Sequence, residues 1–342
     1  MSAFANQPLN PTWPGPPLNA AMDQATLNRY AGGVRALFLE TFENEPNPMV
    51  MRIALEVTEA RHEMSYPWMG QVPQMEEWAG QRIIQQLKMN GFTIKNKRWQ
   101  EAIGIPWVDF ELDTLGLHSA RIADLAKAAR RHPLLLLASL ATNGSAATSL
   151  SYDGQPFYTS THPADGASGI QSNRISGHLT AAIFANGMQY GTTTQGQILD
   201  MLRQDYVLAQ QALMRMKGDK GTYLRNRGDL ITCSTELEPY FKLLFGASDI
   251  GATTNIFKGE CDILALPEMD DYTHPLTWAL HCTKRSIKPF IWQTAIPISF
   301  TPVVDKASFP VFMQDQAVFG ADSYDNGGYG MWQLSVQVYN EA

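Results

Sequence analysis

Seven histidines and three cysteines are the residues of this chain best equipped for nucleophilic or metal-assisted chemistry. An imidazole takes the proton of a thiol when a carboxylate on its other ring nitrogen holds the tautomer. His162 with Asp153 as orienting carboxylate, and Cys233 or Cys282 as nucleophile, is the one set of this kind that suggests itself. Such a combination arises by chance in most chains of this size. The plainer reading is buried thiols in a reducing cytoplasm. No two histidines stand at the i,i+4 spacing of a zinc helix, and the cysteines at 233, 261 and 282 form no CxxC. Phosphate loops, dinucleotide fingerprints and nucleophile elbows are missing as well. The expectation is no enzyme, no cofactor and no metal site.

Lys95-Asn96-Lys97-Arg98-Trp99 mixes cations with an aromatic ring, as single-stranded nucleic-acid sites do. A short charged tip is more often solvated or set against an acidic neighbour. The formal net charge of −7 also opposes a phosphate-gripping protein. Charged residues make up only 17% of the chain and apolar ones 44%. A core is therefore assured, and much of the surface is neutral enough to be buried against partners. No secretory signal is expected, because no basic patch leads into an apolar run. The apolar stretch 134–141 is too short to span a bilayer, so no membrane partner is expected.

The elements that must carry these residues read as α+β, intertwined rather than modular. Pro8, Pro11, Pro14, Pro16 and Pro17, with Trp13 among them, favour an extended N-terminal segment, either a disordered tail or an arm ordered by a neighbouring subunit. Leu27, Tyr30, Val34, Leu37, Phe38 and Phe42 predict a helix over 23–43, followed by further helices over 49–63 and 76–89. Residues 92–105 read as two strands reversing at Asn96-Lys97. Phe92 and Ile94 share one face, and Trp99, Ile103 and Ile105 share another. A helix over 115–131, with Leu117, Ile122, Leu125 and Ala129 inward, kinks or restarts at Pro133 and runs to Asn143-Gly144. Ile198, Leu202, Tyr206, Ala209 and Leu213 form one stripe of a helix over 195–216. Thr235 and Glu238 match a capping box that opens a helix closing at Gly246. Strands are expected at 229–233, 261–266, 278–283, 290–300, 311–312 and 331–339.

Three pieces stand in a fixed order along the chain. The first is Tyr66-Pro67-Trp68-Met69-Gly70-Gln71-Val72-Pro73, the second the segment 92–105, and the third Tyr152-Asp153-Gly154-Gln155 with His162-Pro163 behind it. Lys288-Pro289-Phe290-Ile291-Trp292-Gln293, Phe319-Gly320 and Gly328-Tyr329-Gly330-Met331-Trp332-Gln333 follow later. In this order they resemble the major head subunit (gpT) family of Mu-like bacteriophages and prophages. The resemblance implies a Hong Kong 97-like phage capsid fold with an N-terminal arm, an extended hairpin loop, a peripheral domain with a spine helix, and an axial domain. Residues 1–65 would be the arm and its helices, 66–114 the extended-loop region, and 115–174 the peripheral domain. Residues 175–300 would be the axial domain, with 301–342 returning to the periphery.

The implied function is a major capsid protein whose hexamers and pentamers close an icosahedral shell around double-stranded DNA, without sequence-specific binding. Portal, scaffold and decoration proteins would be its partners, and the virion, assembled in the bacterial cytoplasm, its location. The arm and a hairpin of Phe92, Ile94, Lys95, Asn96, Lys97, Arg98, Trp99, Ile103 and Ile105 would reach across neighbouring subunits. Gly91, Gly104 and the Pro133 kink would serve as hinges between shell positions. An encapsulin-like compartment and a Cys/His hydrolase are the alternatives.

Overall fold

The computed structural model describes residues 24–67, 69, 92–107, 117–164, 166, 168–179, 193–250, 253–271, 274–305 and 307–340. The proline-rich arm (Pro8, Pro11, Trp13, Pro14, Pro16, Pro17), the expected helix 76–89, and Trp68, Gly70 and Pro73 lie outside them. The chain forms two compact units, each drawn from separated stretches. Unit 1 comprises the described residues within Met1–Asn47, Lys97–His132 and Ile296–Asp325; unit 2 those within Pro48–Asn96, Pro133–Ala295 and Asn326–Ala342.

In chain order the elements are α1 (Gln24–Asn44), a 3-10 turn (Met49–Ile53), β1 (Ala54–Thr58), β2 (Glu63–Ser65), β3 (Thr93–Lys95), β4 (Lys97–Pro106) and α2 (Leu117–Thr142). Then follow β5 (Arg174–Ser176), α3 (Thr193–Arg215), β6 (Leu230–Cys233), α4 (Glu238–Gly246), β7 (Asp249–Ile250), β8 (Thr253–Thr254) and β9 (Asp262–Ala265). The chain closes with β10 (Trp278–His281), β11 (Phe290–Val303), α5 (Phe309–Gln314), β12 (Gln316–Tyr329) and β13 (Ser335–Tyr339).

In unit 1, α1 buries Leu27, Ala31, Val34 and Phe38, one stripe at helical spacing. This stripe joins Ile122, Leu125 and Ala126 of α2, Ile105 of β4, Phe300 of β11 and Phe319 of β12 in one core. Phe38 stacks on Phe300 at 4.4 Å between ring centroids. Leu117, expected inward, is 63% exposed. β12 pairs antiparallel with β4 from Gln316↔Pro106 to Asp325↔Lys97. The expected strand at 311–312 is the helix α5. Pro at its N-terminus suits a first helical turn, and Asp315 ends it in the left-handed conformation at φ 49°.

Unit 2 is built on a five-stranded sheet in the order β5-β13-β10-β6-β9. Its central strands β6 and β10 are buried at every position, mostly by apolar residues, and the polar Thr232 and His281 bond to each other at 2.9 Å. The expected stripe of α3 is real: Ile198, Leu202, Tyr206, Ala209 and Leu213 are at most 1% exposed and belong to the core of this unit.

Several expectations are corrected here. Residues 49–63 form no long helix: after one 3-10 turn, β1 pairs in parallel with Phe290 to Thr294 of β11. Residues 92–105 form no hairpin. β3 pairs antiparallel with β2, with Glu63↔Lys95, Met64↔Ile94 and Ser65↔Thr93, whereas β4 pairs with β12. Only Asn96 separates β3 from β4, fewer than the two residues of the common tight hairpin loops. Asn96 instead continues the ladder of β3, donating its backbone N–H to His62 O at 2.9 Å and Nδ2 to Arg61 O at 2.7 Å. The capping box at α4 is not formed either. Leu237 is the N-cap, and Thr235 donates its backbone N–H and hydroxyl to Asp270.

Candidate functional site

The Tyr152-Asp153-Gly154-Gln155 motif is a tight turn. Gly154 takes φ +78°, where a β-carbon is disfavoured, and Ser151 and Gln155 are joined by a 2.7 Å backbone bond. Asp153 Oδ1 accepts Gln155 N at 3.1 Å, which turns Oδ2 toward His162 Nδ1 at 2.6 Å. His162 Nε2 lies 3.1 Å from Asn173 Oδ1. Asn173 Nδ2 donates to Phe157 O at 2.7 Å, and this donation orients its oxygen toward the ring. The imidazole is fully buried and stacked on Trp332 at 3.7 Å between centroids. Next along the chain, Gln333 Nε2 donates to Tyr152 OH at 2.6 Å.

A general base needs a ring nitrogen turned toward its nucleophile, and both nitrogens of His162 are taken by other partners. The three thiols are buried. Burial pushes Cys233 and Cys282 above the ordinary thiol range, and Cys261 up to about 12. None is a ready thiolate. The expected His162–Asp153 pairing therefore exists, and it locks a turn; the arrangement with Cys233 or Cys282 as nucleophile is not formed. Among the described residues no group of three or more His, Cys, Asp or Glu could hold a metal ion, and no helix is long and apolar enough to cross a membrane.

Tyr66, Gln293 and the motif 328–333 also lie in unit 2. Tyr66 OH donates to Gln293 Oε1 at 2.9 Å, and Gln293 Nε2 to Ile94 O at 3.4 Å. Burial, then the charge of Glu59, pushes the Tyr66 phenol up to about 12. Gly330 N donates to Pro289 O at 2.7 Å and Met331 N to Lys288 O at 3.3 Å. A Cβ on Gly330 would stand 2.6 Å from Lys288 O, so only glycine fits there. Tyr329 stacks on Phe157, which also packs against Phe290. Asn173, which joins the His162 ring to the Phe157 carbonyl, carries no motif of its own, and nothing in the local sequence marks it.

The segment 92–105 is divided between the units. Phe92, Ile94, Lys95 and Asn96 belong to unit 2, with Ile94 buried and Lys95 exposed; Lys97 onward belongs to unit 1. There Trp99 Nε1 donates to Asp325 O at 3.1 Å, Arg98 pairs with Asp322 at 3.1 Å, and Ile105 is buried while Ile103 packs partly against the core. Large apolar side chains stand open on both units: Phe309 and Met313 on unit 1, at 76% and 63% exposed, and Ile170 and Ile256 on unit 2, at 75% and 78%. Beside Ile256, a groove of about 600 Å³ is lined by His178, Arg203, Leu208, Ile250 and Phe257. His178 Nδ1 is held there by the buried Asp205 at 2.5 Å, and burial pushes that carboxyl up. No cysteine or serine stands among the groove's described lining residues.

Compared with known proteins, the chain matches the model of the Mu-like prophage major head subunit gpT over residues 27–189 and 267–341, well over half its length. It is 35% identical over 112 residues to the major capsid protein of Escherichia phage Mu, a match covering 33% of this chain and 36% of that protein. It is 24% identical over 286 residues to the Mu-like prophage FluMu major head subunit of Haemophilus influenzae, covering 84% of this chain and 64% of that protein. The matches thus span between about a third and just under two thirds of these relatives. A chain from the procapsid of bacteriophage JBD30 superposes with a TM-score of 0.55 at 22% identity, covering 94% of this chain and 77% of the other. The fold is that of a phage capsid subunit, of the Hong Kong 97-like kind.

Proposed function

The chain belongs to the Mu-like prophage major head subunit gpT family, and on that premise we propose that it is the major capsid protein of a tailed bacteriophage. It self-assembles into hexamers and pentamers that close an icosahedral shell around double-stranded DNA. The family match over 27–189 and 267–341 carries this reading. It is supported by the placement of the chain's motifs, whose polar and aromatic side chains are spent on locking turns and strands rather than on a reactive centre. Large exposed apolar residues such as Phe309 and Ile256 suit a chain that is buried among copies of itself. The subunit acts without catalysis or cofactor, in the virion, with portal, scaffold and decoration proteins as partners. Within this reading residues 1–65 are the arm, 66–114 the extended-loop region, 115–174 the peripheral domain with α2 as spine helix, 175–300 the axial domain, and 301–342 the returning strands.

The test is negative-stain electron microscopy of the purified chain at assembly concentration. Closed shells, or rings of five and six, are expected. A monomer or dimer unchanged by salt or crowding agents would overturn the reading. Shells recovered from cells should hold DNA; protein cargo in its place would make the particle a compartment rather than a phage head.

A further inference from the structure

The five-stranded sheet of unit 2 has unlike ends. β10 runs antiparallel to β6, with His281 opposite Leu230, so the connection 217–229 and the turn 284–288 meet at one end. These two stretches hold Lys217, Lys220, Arg225, Arg227, Lys284, Arg285 and Lys288 against Asp219 and Asp229. β9 runs parallel to β6, so the segments leaving both strands meet at the other end. There stand Glu236, Glu238, Glu268, Asp270 and Asp271 against Lys242, which is bound to Glu238 at 2.8 Å. A four-residue strand separates the two ends, about 10 Å of backbone. In a chain of net charge −7, the seven cations at the first end outnumber its four carboxylates, Asp219, Asp229, Glu260 and Asp262.

The basic end is also rigid. Arg225 takes φ +52°, a conformation that costs a non-glycine residue energy, and its side chain is exposed. Both neighbours are pinned. Leu224 N donates to Met216 O at 2.7 Å, Leu224 O accepts from Arg285 at 2.5 Å, and Asn226 Nδ2 donates to Gln333 O at 2.8 Å. The carboxylates nearby are engaged locally: Glu260 holds Arg227 at 2.7 Å, and Asp262 and Asp229 hold Arg52 at 2.6 and 3.4 Å. At the other end Asp270 is held by Thr235, Glu268 Oε2 is buried without a hydrogen-bond partner, and Asp271 is exposed.

We propose that the basic end of this sheet in one copy docks on the acidic end in the next copy around a closed ring, a head-to-tail contact set by charge. A ring of identical chains needs two different, mutually complementary faces on each chain, and the sheet supplies such a pair at its two ends. Fixed, opposite charges select the register and steer the encounter; the pinned Arg225 loop loses little freedom on docking. The inference rests on the reading of the chain as a shell subunit. A nucleic acid is the other polyanion that a basic end would accept.

The experiment uses the full chain carrying Arg225→Glu with Lys284→Glu, or Glu236→Lys with Asp271→Lys, or all four changes. Ring and shell formation is followed by sedimentation and electron microscopy. Each one-sided reversal is expected to raise the concentration needed for assembly by about tenfold or more, and the four-fold variant to recover most of that loss. Arg225→Asn separates interface from folding: asparagine tolerates the left-handed backbone, so thermal stability should hold or rise while assembly weakens. Wild-type shells with no recovery in the four-fold variant overturn this interface alone. Unchanged assembly by the basic reversal, with weakened binding to a short DNA duplex, also overturns it and assigns that end to nucleic acid. A wild-type chain that never forms rings or shells overturns the shell reading itself.

Discussion

His162 lies flat on the indole of Trp332, with ring centroids 3.7 Å apart and planes 1° from parallel. The two residues belong to different motifs, and their stack ties the Asp153 turn to the segment leading into β13. Its strength can be dissected. His162→Phe keeps a stacking ring and removes the imidazole bonds to Asp153 Oδ2 and Asn173 Oδ1, for an expected loss of about 2–3 kcal/mol. His162→Ala forfeits the stack as well, for about 3–5 kcal/mol. Urea unfolding of the two variants measures the difference, and equal losses would remove the stack from the account.

Two glycines should respond to alanine with opposite sign. At Gly330 a Cβ would meet Lys288 O at 2.6 Å and Pro289 O at 2.9 Å, backbone atoms that do not give way. Gly330→Ala is expected to cost about 2–3 kcal/mol. At Gly32, within α1, a Cβ meets nothing within 4 Å. Gly32→Ala should gain about 1 kcal/mol of helix stability. Thermal unfolding of both variants checks the pair.

His281 should make the protein acid-sensitive. Its ring bridges Thr232 and Ser335 at 2.9 Å each, and burial lowers its pKa to about 3, with the charge of Asp229 only partly opposing. The unfolded chain binds this proton near pH ~6.5, so it takes up a proton that the folded chain refuses. Stability is therefore full above ~6.5 and falls as pH drops toward about 3, by up to about 1.4 kcal/mol per pH unit. His281→Gln should flatten that slope in chemical denaturation run across the window; an unchanged slope would assign it to other groups.

Cys261 should act on the alkaline side. Burial raises its thiol to about 12, whereas an unfolded cysteine ionises near ~8.5. The contribution is complete below ~8.5 and is lost as pH climbs toward about 12, because only the unfolded chain releases the proton. Cys261→Ala should reduce the fall in stability over that range. Alkylation of the native protein at neutral pH should leave all three buried cysteines unmodified until denaturant is added.

What a window of neighbouring residues encodes was legible in the chain itself. The stripes Leu27/Val34/Phe38 and Ile198/Leu202/Tyr206/Ala209/Leu213 define α1 and α3, because a helix buries positions set by its own 3.6-residue period. The short, mostly apolar runs at 229–233 and 278–283 mark strands for the same local reason, and β6 and β10 form there. The order of the motifs along the chain points to the family that the chain belongs to.

Pairing was decided only in three dimensions. β12 carries little local signal, because of its inward positions Ala317, Phe319, Ala321, Ser323 and Asp325 only Phe319 is large and apolar, and glycines interrupt it. Segment 92–105 has the composition of a hairpin, yet its two strands find other partners, in β2 and in β12. By residue type His162 and Asp153 suggest half of a catalytic set; only in the fold do Asn173 and Trp332 close around the ring. Strand partners and side-chain neighbours lie far apart along the chain. Which of them meet depends on how the whole core packs, which no local spacing records.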